Sequence, residues 1–133
     1  MSVWAIQKAM FAHLAADSGV IAELGDPPRL YDEPPESAPF PYAVLGEARV
    51  DDYPGLPGGR AHDLRIQIVS RHQGRKEVKR AVDAVSAALD DADFPIDGAR
   101  LVNMRFVSAD ISLRDASGLH TGTLRFRAAT EAL

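Results

Sequence analysis

The chain has 133 residues, of which 46% are hydrophobic and 26% charged, a balance typical of one globular domain spanning residues 1–133. It contains no cysteine, which excludes disulfides, thiolate metal sites and cysteine nucleophiles. The formal net charge of −4 argues against a protein that binds nucleic acid by neutralising phosphates, because such proteins usually present a basic face. No window approaches the ~20 apolar residues of a membrane span, and the N-terminus lacks a signal-peptide pattern, so we expect no membrane contact and a cytoplasmic chain.

The N-terminal segment is predicted to be helical. Between Ser2 and Ala16, apolar residues recur every three or four positions, namely Val3, Ile6, Met10, Phe11 and Leu14. This spacing predicts an amphipathic helix that Ser2 would cap. A shorter turn is predicted from Asp17 to Leu24, and a brief strand at 29–31.

A proline-rich segment from Tyr31 to Glu47 follows, with prolines at positions 34, 35, 39 and 41. Each proline fixes its own φ and favours extended geometry in the residue before it, which predicts a stiff arm with few free backbone donors. Such an arm suits docking against a neighbour. The alternative is that the prolines only cross the surface and align the next strand, predicted at Tyr42–Val50.

Two strands and a loop are predicted next. Residues 51–60 contain three glycines and two prolines, which predicts a mobile loop at the tip of a hairpin. Strict alternation over 61–70 predicts a strand that buries Leu64 and Ile66 and places Arg65 on a polar face.

A second helix is predicted from Arg75 to about Asp90, with one apolar stripe. Basic residues gather near its start: Arg71, Arg75, Lys76, Lys79 and Arg80. This cluster is either solvated helix surface or a contact for an acidic partner.

The C-terminal part predicts a hairpin. A strand over 99–108, with Val102, Met104 and Phe106 inward, extends towards Arg114, turns at 115–118 and returns over 119–130 with Leu124 and Phe126 inward. The element order predicts an α+β fold, a mostly antiparallel sheet with two helices packed on it.

The sequence contains few candidates for chemistry. His13, His62, His72 and His120 have no metal-site spacing, so we predict no metal and no cofactor. A hydrolase that uses His62, Asp63 and His72 remains an alternative, although no Gly-x-Ser-x-Gly turn presents a serine. A cation site at Asp51, Asp52 and Asp63 and a phosphate loop at Gly55, Gly58 and Gly59 also lack the expected spacing.

The whole chain resembles the tail-terminator or tail-completion proteins of long-tailed bacteriophages and gene transfer agents. The resemblance depends on Phe40-Pro41-Tyr42 before a strand, Gly74-Arg75 before the second helix and the closing Arg125-Phe126-Arg127. It implies a non-catalytic six-subunit ring at the head-proximal end of a phage-like tail, assembled in the bacterial cytoplasm. The implied partners are further copies of the chain, a tail tube protein and a head-connector protein, with DNA passing through the lumen.

A closed ring needs two different complementary patches on each subunit. We expect them in the arm, in the glycine-rich loop and in the basic cluster. The candidate interface residues are Pro34, Pro35, Glu36, Pro39, Asp51, Asp52, Tyr53, Leu56, Arg60, Arg71, Arg75, Lys76, Lys79 and Arg80. Asp51 and Asp52 are also candidates for an acidic lumen, since carboxylates repel phosphate. A head-proximal connector is the alternative role.

Overall fold

The computed structural model describes residues 3–71, 75–113 and 118–133, without the side chain of Leu113. The helices in these ranges are α1 (Val3–Ala15), α2 (Ser18–Leu24) and α3 (Lys76–Leu89). The strands are β1 (Leu30–Tyr31), β2 (Tyr42–Asp52), β3 (Arg60–Ser70), β4 (Ala99–Leu113) and β5 (His120–Ala132). The α+β prediction is confirmed. The predicted Ser2 cap, His72, Gly74, Arg114 and the turn at 115–117 lie outside the described residues.

The segment predicted as a short turn forms the additional helix, α2. Asp17 caps it, because its Oδ2 accepts a hydrogen bond from the backbone N–H of Val20 at 3.0 Å. The backbone N–H of Gly25 closes the other end on the carbonyl of Ile21. The described part of the chain therefore contains three helices rather than the two predicted.

The five strands form one sheet in the order β1-β2-β3-β5-β4. β1 runs parallel to β2, and all other neighbours are antiparallel. Both predicted hairpins, β2–β3 and β4–β5, are present. β1 and β4 thus stand at opposite edges of the sheet.

One face of the sheet packs against the helices to form a single core. Leu64, Ile66 and Phe126 project from this inner face and are buried, as the alternation predicts. α3 crosses β5 so closely at Gly122 that a Cβ there would lie 2.5 Å from Cγ2 of Val82. The opposite, outer face of the sheet carries the alternate residues.

The predicted buried face of β4 is partly wrong. Met104 is buried, but Val102 is 41% exposed and Phe106 39% exposed. The pairing of β4 with β5 shifts register between Leu101 and Asn103 and again between Phe106 and Ser108. The first irregularity inserts Val102 and breaks the period of two there. Phe106 still shares the inner face with Met104, since it pairs with buried Phe126 and their ring centroids lie 5.9 Å apart, although it is partly exposed on the edge strand.

Candidate interaction surfaces

The outer face of the sheet carries a group of arginines. Because β-strand side chains alternate between faces, Asp63 and Arg65 project away from buried Leu64. The strand register extends this charged surface across four strands. We call its basic members the arginine face: Arg49, Arg65, Arg105, Arg125 and Arg127.

Carboxylates balance only part of this charge. Arg65 Nη1 lies 2.8 Å from Glu47 Oε2, and Arg127 Nε lies 4.0 Å from Asp63 Oδ1. Arg49 pairs with Asp51 at 3.2 Å, within β2. Arg125 is exposed and has no ion pair with any residue in the described ranges. Arg105 pairs with Asp91 at 3.2 Å, so Arg125 is the one member of the arginine face without an ion pair in the described ranges.

Register places like charges directly opposite each other on this face. Arg65 pairs with Arg125 across β3 and β5, and Arg127 pairs with Arg105 across β5 and β4. Like charges at opposed positions destabilise a sheet. A groove of about 300 Å³ lies among these side chains, lined in part by Arg49, Arg65, Val107 and Arg125.

The proline-rich arm lies at the other end of the sheet, beyond β1. We call residues 32–39 the acidic arm, because Asp32, Glu33 and Glu36 are exposed on it. At its start, the arm makes one hydrogen bond with α1 and passes close to Gly46 of β2. Asp32 Oδ1 accepts a hydrogen bond from Gln7 Nε2 at 2.7 Å, and a Cβ on Gly46 would lie 2.7 Å from the Asp32 carbonyl oxygen.

The prolines of the acidic arm differ in exposure. Pro35 and Pro39 are exposed and Pro34 is half-buried, whereas Ala38 between them is buried. The arm is thus seated on the domain at Ala38 and presents its acidic residues outward.

The basic cluster lies at the end of β3 and the start of α3. The Arg71 guanidinium stands 5.0 Å from the centre of the Phe40 ring, a cation–π contact. Arg75, Lys76, Lys79 and Arg80 are exposed, and Arg80 Nη2 lies 2.9 Å from Glu23 Oε1 on α2. One member of the basic cluster, Arg71, therefore contacts Phe40, the residue that follows the acidic arm.

The third element, the glycine-rich loop, lies apart from them between β2 and β3. The Tyr53 N–H donates to the Gly59 carbonyl at 3.0 Å, and the Ala132 N–H donates to the Pro57 carbonyl at 2.9 Å. Asp51, Asp52 and Tyr53 are exposed, Leu56 and Arg60 are half-buried, and Arg60 pairs with Asp52 at 3.1 Å. These bonds favour one loop conformation over the mobile excursion that composition predicts.

His62 is a core residue. Its side chain is fully buried, and Nε2 lies 2.9 Å from Oγ1 of Thr130. Burial lowers the pKa of its imidazole, and the nearby Arg60 charge lowers it further. Asp63 projects to the opposite face, so the hydrolase hypothesis loses its His–Asp pair; His72 lies outside the described residues.

The other candidates for chemistry are also separated. In residues 3–71, 75–113 and 118–133, no group of three histidine or carboxylate side chains could hold a metal ion. The glycine-rich loop joins two strands, whereas phosphate loops precede a helix. None of the helices described is long and apolar enough to span a membrane.

Two acidic residues at the end of α3 bind their own chain. Asp90 Oδ1 accepts a hydrogen bond from the Phe106 N–H at 2.9 Å, and Asp91 Oδ1 lies 3.2 Å from Arg105 Nη1. These contacts with β4 offset the unfavourable position of negative charge at a helix C-terminus.

The arginine face was not predicted as a surface. Alternation placed Arg65 on a polar face, and the sequence shows Arg125 and Arg127 two residues apart. That β5 inserts between β3 and β4, and so joins these residues into one surface, follows only from the strand order.

The fold and these surfaces define a domain whose distinctive features are exposed charged surfaces and a stiff arm, the features of an assembly protein. Residues 8–131 match the family model of the tail completion protein gp17, and the chain belongs to this family.

A solved structure supports the same class. A chain of the virion of a native gene transfer agent particle superposes with a TM-score of 0.89 at 32% identity, covering 98% of each chain. No curated protein sequence matches the chain. The protein is thus a structural component of a phage-type tail.

Proposed function

We propose that the protein forms a ring, most simply of six copies, that caps the tail tube, ends tail polymerisation and joins the tail to the head connector. The observation that carries the proposal is whole-chain similarity to a component of a gene transfer agent virion together with the tail completion family match. Such a protein acts through its interfaces and needs no catalytic group. The proposed position is the head-proximal end of the tail, after assembly in the bacterial cytoplasm.

A closed ring requires a head-to-tail contact between two different patches. The domain offers different surfaces at its two sheet edges, the acidic arm beside β1 and the β4–β5 end of the arginine face. The glycine-rich loop and the basic cluster are further candidates for contacts with the tube protein or the connector. DNA would pass through the lumen without specific binding.

Electron microscopy of particles made without the protein tests this role. A terminator should leave tails overlong or without heads, because the tube would not be capped. Restoring the wild-type chain should return tails to one length. Tails of normal length joined to heads in its absence would contradict the proposal.

A head-proximal connector is the second candidate, since the family and virion similarity fit it too. The same micrographs separate the two roles. A missing connector should leave tails of normal length and heads that are empty or leaking.

A further inference from the structure

We infer that the arginine face receives the acidic arm of a second copy of this chain. The inference rests on the proposed ring and identifies the two patches that close it. It begins from Arg125, which has no ion pair in the described ranges and lies opposite Arg65.

The arginine face is a poor arrangement for an isolated subunit. Arg65 opposes Arg125, and Arg105 opposes Arg127, so two cross-strand positions carry repulsion. The Nε of Arg65 is buried with no hydrogen-bond partner in the described part of the chain. Because that atom is not accessible, an arriving carboxylate would instead relieve the repulsion by pairing with the exposed guanidinium of Arg125 through strong charge-assisted hydrogen bonds.

The acidic arm has the complementary chemistry. Asp32 is engaged by Gln7, which leaves the exposed Glu33 and Glu36 for a partner. Prolines on both sides of Glu36 restrict the backbone, so docking costs little conformational entropy. The arm can therefore present carboxylates without first being ordered.

The strand order places the two patches where a ring needs them. The acidic arm leaves the sheet beside β1, whereas Arg105, Arg125 and Arg127 lie on β4 and β5 at the other end of the order. A subunit cannot easily fold its own arm across β2 and β3 to reach Arg125 and Arg127 on β5. If each subunit is related to the next by the same rotation, each acidic arm would contact the next subunit's arginines. Repeating this contact would generate a head-to-tail ring.

Disulfide trapping tests the contact directly, because the chain has no cysteine of its own. A chain with Glu36→Cys and Arg125→Cys should, after mild oxidation, yield a ladder of cross-linked multimers from purified particles. The matched control moves the acceptor from the arginine face to α3, with Glu36→Cys and Lys79→Cys. A ladder from the control and none from the first variant would overturn the inference and place the acidic arm on the basic cluster.

Charge exchange distinguishes a second copy from any other acidic occupant. Arg125→Glu with Arg127→Glu, and separately Glu33→Lys with Glu36→Lys, should each abolish particle formation in a strain lacking the wild-type gene. Co-expressing the two variants should restore it, because an even-numbered ring can alternate them so that every arm meets an opposite charge. Asp83→Lys with Asp93→Lys makes the same charge change as the arm variant, at other exposed positions, and should form particles normally.

Each outcome decides between the claims. No rescue by co-expression, with loss of DNA retention in the arginine variant alone, would mean that phosphate occupies the arginine face. If deletion gives overlong tails but the Glu36→Cys, Arg125→Cys variant does not cross-link, the terminator role stands and this contact is rejected. If deletion leaves tails normal but the cysteine variant does cross-link, this contact stands and the terminator role is rejected.

Discussion

Arg65 and Arg125 lie directly opposite each other on β3 and β5, on the face of the sheet away from the core. Arg65 pairs with Glu47, whereas Arg125 has no such partner in the described residues. The two charges repel within the subunit. A surface selected only for the stability of the isolated domain would not be expected to keep this pair.

Replacing Arg125 with threonine should therefore stabilise the isolated domain. Threonine suits a strand and removes the repulsion, so the free energy of unfolding should rise by about 0.2–1 kcal/mol in urea denaturation. Particle formation should fall at the same time. The control is Arg100→Thr, which removes an ion pair with Glu131 on the neighbouring strand and should give no gain. A variant less stable than wild type would contradict the repulsion.

The second prediction concerns the stability of variants in the irregular strand β4. Met104→Ala should lower the free energy of unfolding by about 2–5 kcal/mol, because the side chain is fully buried in the core. Val102→Ala should change it by no more than about 0.5 kcal/mol, since Val102 is largely exposed beside a register shift. Equal losses in the two variants, measured by urea denaturation, would mean that β4 keeps the regular alternation.

β4 also marks the limit of prediction from sequence. Along β3 the apolar residues alternate strictly, so Leu64 and Ile66 could be assigned to the core from the sequence alone. Along β4 the apolar residues are compatible with more than one register. No glycine or proline within the strand marks Val102 and Val107 as the inserted positions. A bulge is decided by pairing with β5, which is a long-range contact.

The same reasoning applies to the candidate surface. The acidic arm was predictable, because prolines act on their own and the preceding backbone. The arginine face depends on which strands become neighbours. Arg105 on β4 and Arg127 on β5 join Arg65 on one surface only because β5 pairs with both β3 and β4.

A third prediction concerns Gly122, where α3 approaches β5. Gly122→Ala would place a Cβ 2.5 Å from Cγ2 of Val82 and 3.2 Å from Cγ2 of Val78, so the helix or these side chains must shift. Overpacking of this kind costs about 1–3 kcal/mol. Thr123→Ala, at the next position on the outer face, should have little effect on the denaturation midpoint. An alanine at position 122 without loss of stability would show that α3 can move away freely.

The fourth prediction follows from the buried His62. Because burial lowers the pKa of its imidazole in the folded state, the unfolded chain binds the proton more readily. Stability should therefore fall as pH drops below the unfolded pKa of about 6.5, by at most about 1.4 kcal/mol per pH unit, until the folded pKa is reached. Above that range, this histidine should contribute no pH dependence.

His62→Gln removes the titrating group and can keep a polar contact with Thr130. We expect its stability to change less than that of wild type between pH 7.5 and pH 5.5 in urea denaturation, chosen as about one unit either side of the unfolded pKa. Parallel pH profiles would show that His62 does not carry the effect. The glutamine variant should also still form particles, since it keeps the core filled. Alanine is the poorer choice here, because a cavity beside Thr130 would confuse loss of folding with loss of function.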